Sequence, residues 1–440
     1  MSSPQRTLLL AAVLLPAAAA APGADWPQWR GPALNGSSPE TGLPATWTTT
    51  ENVRWAAEMP GRGGGTPIVW GDRVFVTSVA NRERNLAALC LDRKTGKVLW
   101  AESLGRAKDL IYKRNTMASC SAATDGKRVY FLYGNGELAA TGLDGKLIWR
   151  RNLQRDHGKW SVYYGYSASP MLYGGKLFVS VLHRDSKDPA DDAPRQEHRV
   201  SYLLCIDPAS GKDVWKHVRP TDAVGECQES YATPMPCQGR GKPSVLVAGG
   251  DYLTAHDVTD GRELWRWGNY NVKNEKWWRV VASPLVIDDV VVMATPQHGP
   301  LYAIRVEAGG DLKLGHQAWC RPVDQLTPDC STPLCYKGLV YFLHDDKKTM
   351  VCVEPKTGTE RWRGVLPVKQ KIMRASPTGA DDKIYCISQD GEAVVVAAGG
   401  DTCKVLHSVA MGGKPVWSSI AVARGNLFLR TGKKLYCVGK

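Results

Sequence analysis

The sequence predicts an all-β fold, an eight-bladed β-propeller of four-stranded blades closed by pairing of N-terminal and C-terminal strands. Three observations predict it. A unit built from a Ser/Thr-Pro pair, short apolar strands and an Asp-x-x-Thr-Gly-Lys turn followed by Trp recurs along the chain. Its apolar runs are strand-length, separated by Gly, Asp or Asn turns, and carry no helical 3.6-residue period. The last unit stops before its outermost strand, and a matching strand precedes the first unit.

The units follow in order. The first runs from Thr66-Pro67 through Gly71-Asp72 to Asp92, Thr95-Gly96-Lys97 and Trp100. The second starts at Ser121-Ala122 and ends at Asp144-Gly145-Lys146 and Trp149. The third has Ser169-Pro170, Asp207, Ser210-Gly211-Lys212 and Trp215; the fourth has Thr233-Pro234, Asp257, Gly261 and Trp265. The fifth begins at Ser283-Pro284 and ends near Trp319, and the sixth runs from Thr332-Pro333 to Thr357-Gly358 and Trp362. The seventh begins at Ser376-Pro377 and has Leu406 in place of the tryptophan; the eighth begins at Ser419-Ile420 and stops at Leu435-Tyr436-Cys437. The anchors lie roughly 43–64 residues apart, the spacing of propeller blades. The segment Asn52-Val53-Arg54-Trp55 supplies the strand that the eighth unit lacks. Closing the ring this way leaves no open edge for aggregation.

The turn residues fit tight hairpins, since Asp caps a turn and Gly accepts positive φ. The tryptophan beyond buries a large area and can lie on a neighbouring blade's turn. Trp100, Trp149, Trp215, Trp265, Trp319 and Trp362 are therefore expected as blade staples, with Trp55 serving the eighth blade. Their repetition explains sixteen tryptophans beside five phenylalanines.

The Ala/Cys-x-Asp-x-x-Thr-Gly-x-x-x-Trp unit resembles the tryptophan-docking repeat of quinoprotein-like propellers. That group includes pyrroloquinoline quinone (PQQ) dehydrogenases and the BamB-type outer-membrane assembly factors. The opening Asp25-Trp26-Pro27-Gln28-Trp29-Arg30-Gly31-Pro32, with Gly42-Leu43-Pro44, resembles a PQQ-like propeller family abundant in planctomycete-type bacteria. The resemblance covers nearly all of the chain beyond its first residues. It implies a fold and two activity classes, and fold alone does not select between them.

Residues 1–24 read as a signal peptide: Arg6 as the only charge, the apolar run Leu8 to Leu15, then small residues from Ala17 to Ala21. Residues 25–51 form a Trp/Pro-rich segment and 52–440 the propeller. The mature chain is expected to be exported, periplasmic or secreted, soluble and monomeric, with no membrane-spanning run. Net charge is +13, but the basic residues are interleaved with acids, which argues against nucleic-acid binding. Twelve cysteines in an exported chain raise the question of disulfides. Cys90, Cys205, Cys352 and Cys437 sit at small core positions of the repeat, and one pairing among Cys227, Cys237, Cys320 and Cys330 is allowed for. No Cys-x-x-Cys, Gly-x-Ser-x-Gly or His-Glu-x-x-His motif occurs, and the nine histidines are scattered.

Loops entering the innermost strands gather at one mouth of a propeller channel. Here they carry Arg114, Trp160, Tyr164, Glu229, Tyr231, Trp277, Trp278, Arg279, Asp329, Arg374 and Trp417. Aromatic rings with Arg suit an anionic small molecule, an acidic glycan or a protein anchor; the plain alternative is packing that closes the mouth. Two functions follow. The first is a non-catalytic binding or assembly scaffold of the cell envelope, with an envelope protein or an anionic ligand as partner, no cofactor, no metal and no catalytic residue. The alternative is a PQQ-dependent oxidoreductase acting on an alcohol or sugar. It would need Ca²⁺, for which Glu229, Asn271 and Asp329 are the available oxygens, although their spacing does not mark them as ligands.

Overall fold

A computed structural model describes residues 24–80, 84–107, 115–184, 200–238, 242–268, 270–306, 310–312, 316–323, 326–369 and 372–440. The expected signal segment up to residue 23, the charged insertion 185–199 and Arg114 lie outside the described residues. The strands form eight separate sheets, each an antiparallel meander at its core. Blade 1 runs outward from Ile68–Trp70 through Arg73–Ala80 and Asn85–Asp92 to Val98–Arg106. Each later blade repeats this path from its own anchor. Blade 8 comprises Ala421–Ala423, Asn426–Arg430 and Lys434–Val438, and its outermost strand is Val53–Glu58. Trp55 pairs with Cys437 and Glu58 with Lys434, so the ring closes as the sequence predicts.

Burial explains the strand chemistry. Middle strands such as Asn85–Asp92 are enclosed on both faces by neighbouring blades and are apolar nearly throughout. Outer strands such as Asp213–Val218 face solvent and alternate exposed with half-buried residues. Cys90, Cys205, Cys352 and Cys437 are buried core residues, and all twelve cysteines are free thiols. The pairing allowed for among Cys227, Cys237, Cys320 and Cys330 therefore does not occur in this structure. Blade 4 carries a strand the repeat does not announce: Gly310–Leu312 adds in parallel to the outer strand Glu263–Gly268. The helical elements with full described bounds are Leu153–His157, capped by the Asn152 side chain, and a 3-10 turn at Gly225–Gln228.

Adjacent blades are joined by their tryptophans. The Trp100 indole donates to the Leu143 carbonyl at 3.0 Å, Trp149 to Pro208 at 3.0 Å and Trp215 to Val258 at 3.3 Å, each in the next blade's turn. Trp319 reaches Pro355 at 2.7 Å, Trp362 reaches Gly399 at 3.2 Å, and Trp55 reaches Arg93 at 2.8 Å. Trp265 is buried instead beside the added strand, where it registers with Gly310. The turn glycines must be glycine: a Cβ on Gly145 would lie 2.8 Å from the Trp100 ring.

The N-terminal segment is not an appendage. Residues 24–47 form a strap across the turn ends of the innermost strands. Trp26 pairs with Val69 of blade 1, and the Pro27 carbonyl accepts from Thr124 of blade 2 at 2.9 Å. The Gln28 carboxamide bonds both backbone groups of Leu172 in blade 3. On the far side Ser38 pairs with Gly379 of blade 7, and Asp25 forms an ion pair with Arg424 of blade 8 at 2.7 Å. Arg30 is buried and donates to the carbonyls of Pro333 at 2.7 Å and Pro377 at 2.9 Å. Burial lowers its pKa to about 9. Carbonyl acceptors, with no carboxylate bonded to it among the described residues, hold this cation at the centre of the strap.

Candidate functional site

The Ser/Thr anchors form a closed ring. The backbone N–H of Thr66 donates to Ser121 Oγ at 2.8 Å, Ser121 to Ser169 at 3.0 Å, Ser169 to Thr233 at 2.9 Å and Thr233 to Ser283 at 2.9 Å. Ser283 donates to Thr332 at 2.9 Å, Thr332 to Ser376 at 3.0 Å, Ser376 to Ser419 at 3.0 Å, and Ser419 back to Thr66 at 3.1 Å. Every N–H finds the hydroxyl of the next blade, and all eight residues are at most 6% exposed. Six anchors are followed by proline. Proline brings no N–H of its own, so the entry to those six innermost strands needs only the one seam bond.

All eight anchors line an axial chamber of about 250 Å³. Trp29 lines it from the strap, and the loops entering the blades supply Gly64, Asn115, Tyr164, Tyr231, Arg279, Arg374 and Trp417. Five residues expected at the mouth thus meet in one wall. The Arg279 guanidinium stands 5.6 Å over the Tyr164 ring and 3.4 Å from Asp329, while its Nε is buried with no hydrogen-bond partner. The Trp417 Nε1 is likewise buried and unbonded, and Arg62 stands 5.2 Å over that ring. Arg374 has no hydrogen-bond or ion-pair partner among the described residues.

The other expected residues fall elsewhere. Glu229 is fully buried behind the wall, 2.8 Å from Arg184, accepting from Tyr231 Oη at 2.7 Å and the Tyr163 N–H at 3.1 Å. Burial raises its pKa to about 7, against the pull of these donors. Tyr231 Oη in turn accepts the Tyr164 N–H at 3.1 Å, so Glu229 sets the position of two lining rings. Asp329 is held behind Arg279 and accepts the Gln297 N–H at 2.7 Å. Trp160 packs inward, donating to Tyr202 Oη at 3.2 Å and lying 4.3 Å from Tyr166. Trp278 packs against the core between blades 4 and 5. Trp277 points away from the chamber and is 59% exposed on the rim. Packing therefore accounts for Trp160 and Trp278, because their loops fold back before reaching the axis.

Sequence reading missed the anchors and Trp29 as lining residues. The signal for the anchors is their regular spacing, which reads equally well as strand punctuation. Trp29 carries no local signal, because the strap reaches the axis only through contacts with distant blades.

The chamber does not fit a Ca²⁺-held quinone. Among its described lining residues none is a carboxylate or an imidazole. Glu229 and Asp329 are committed as above. The Asn271 carboxamide is occupied by Asp251 at 2.9 Å and both backbone groups of Glu275. No group of three or more His, Cys, Asp or Glu side chains is placed to hold a metal among the described residues.

Ring and chamber define a quinoprotein-like eight-bladed propeller with the N-terminal strap reaching its axis through Trp29. The chain belongs to the family described as "Outer membrane protein assembly factor BamB", which it matches over residues 38–183, 196–313 and 311–438. A polyvinylalcohol dehydrogenase from a Pseudomonas species is 28% identical over 197 residues, 44% of this chain and 28% of that protein. The match thus spans less than a third of the relative's length. Among solved structures, a europium-containing methanol dehydrogenase superposes with TM-score 0.65 at 11% identity, covering 93% of this chain and 90% of that one. BamB from Moraxella catarrhalis superposes with TM-score 0.58 at 15% identity, covering 88% and 99%. At these identities the structural likenesses speak for the fold. No helix among the described residues is long and apolar enough to cross a membrane.

Proposed function

We propose that this chain is a non-catalytic binding propeller, exported to the cell envelope, that engages its partner through the channel mouth. One observation carries the reading. The chamber behind the mouth offers hydrogen-bond donors and aromatic faces but, among the described residues, no carboxylate or imidazole to move a proton. The rim adds exposed aromatics, with Trp277 59% and Tyr163 47% exposed, of the kind that anchor protein interfaces. Membership in the assembly-factor family supports the same reading, as does the signal-like start for export. The tryptophan-docking repeat is taken as its structural frame, supported by the six interblade indole bonds.

The second reading, a PQQ-dependent oxidoreductase, is favoured by the dehydrogenases among the relatives and structural neighbours. The test separates the two. Purified full chain is titrated with PQQ and Ca²⁺ while an artificial dye is offered as electron acceptor. The expected result is no alcohol-dependent dye reduction. In parallel, cross-linking to envelope extract should yield a discrete adduct that Trp277→Ala removes without lowering the melting temperature. Saturable PQQ binding with turnover would overturn the scaffold reading.

A further inference from the structure

We infer that the axial chamber is a metal-independent oxyanion site, with the eight anchor hydroxyls and the Arg279 and Arg374 guanidinium groups as its donors. This rests on the binding reading above and names its ligand chemistry. A hydroxyl carries one proton and two lone pairs. At every anchor one lone pair takes the N–H of the preceding blade. Among the described residues none of the eight hydroxyl protons has an acceptor. A hydroxyl that accepts a hydrogen bond becomes a stronger donor. The ring is thus a collar of polarised O–H groups with nothing among the described residues to receive them.

The remaining lining adds to the same imbalance. Arg279 Nε and Trp417 Nε1 are further buried donors without partners. Both charged lining groups, Arg279 and Arg374, are positive; Asp329 pairs with Arg279 at 3.4 Å and the buried Glu226 carboxylate also acts on it, whereas Arg374 has no ion-pair partner among the described residues. A cation would meet lone pairs but also two guanidinium groups, which repel it. A neutral ligand would leave the Arg374 charge unmatched. A carboxylate or phosphate group is acceptor-only and takes charge-assisted bonds from such donors. At about 250 Å³ the chamber has room for a small anion or for an acidic group carried by a larger ligand.

The test is isothermal titration of the full chain in EDTA with inorganic phosphate, with succinate, and with a short acetylated glutamate peptide. Saturable one-site binding of at least one probe is expected, weakened about tenfold or more by Arg374→Gln. The melting temperature of that variant should not change, since Arg374 bonds nothing among the described residues. Free anions binding alone identify a small-molecule source; the peptide binding alone identifies an acidic segment of a partner. The inference is overturned if binding requires Ca²⁺, if the neutral diamide succinamide binds as well as succinate, if Arg374→Gln binds like the parent, or if no probe binds at millimolar concentration. Trp277→Ala keeps the two proposals apart, because it lies outside the chamber. Anion binding that persists while envelope capture fails overturns the scaffold reading alone, and capture without anion binding overturns this one alone.

Discussion

Replacing Trp149 and Gly211 singly and together measures how firmly one blade is locked to the next. Gly211 has φ +72°, and a Cβ there would lie 2.5 Å from the Trp149 ring. Gly211→Ala should therefore cost about 1–2 kcal/mol for the left-handed backbone, with a further ~1–3 kcal/mol for displacing the indole. Trp149→Ala should cost about 3 kcal/mol, the low end for so large a truncation because the ring is half-buried. Once Trp149→Ala has removed the ring, the displacement disappears and only the backbone cost of Gly211→Ala remains. A coupling of about 1–3 kcal/mol between the two sites follows. Gly175 is the control: it has the same φ of +72° with open space around its Cβ position, so Gly175→Ala reports the backbone cost alone. Urea unfolding midpoints at constant slope give all four free energies. Single-mutant effects that add within about 0.5 kcal/mol would refute the view that the indole bears on the turn.

Two further perturbations probe the buried charges. Glu229 has a folded pKa near 7, raised by burial above that of the unfolded chain. The folded state therefore binds more protons between roughly pH 4.5 and 7, and stability falls as pH rises through that window. Glu229→Gln should remove that slope, worth up to roughly 3 kcal/mol at 1.36 kcal/mol per unit; an unchanged pH profile of the unfolding midpoint would refute the assignment. Arg30→Met strips a donor from the carbonyls of Pro333, Pro377 and Asn35. It should cost about 1–3 kcal/mol and open residues 24–47 to limited proteolysis, whereas a strap that stays protected would show that Arg30 does not hold it.

The blades were legible because their signals are local. A turn such as Asp92 to Gly96 declares itself within five residues, where Asp92 accepts from the backbone of Lys94 and Thr95. Ring closure was legible too, since Val53 to Trp55 reads as a strand with no partner nearby. The chamber was legible only in part. Tyr164, Tyr231, Arg279, Arg374 and Trp417 could be placed near the axis by counting from anchors, but the depth reached by each side chain depends on how its loop packs. Trp277 and Arg279 are two residues apart, and one faces outward while the other lines the wall. The hydroxyl seam and the strap were illegible for a different reason. Seam partners lie 43 to 64 residues apart along the chain, with the closing bond spanning 353. No local pattern states that a hydroxyl receives an N–H from another blade.

The strap and the closing strand also order events in time. Val53–Glu58 precedes the other strands of the ring in the chain, and its partner Lys434–Val438 follows them all, so the two can pair only after the blades between them have been synthesised. The acceptor for Ser419 in the seam is Thr66, and Asp25 waits for Arg424. A nascent chain therefore carries two unsatisfied sheet edges until residues 434–438 appear. A truncation a few residues from the C-terminus would not give a propeller short of one strand, but an opened ring prone to edge-to-edge association. The chamber is whole only once Val53–Glu58 has paired with Lys434–Val438, so a ligand bound there would report that the ring has closed.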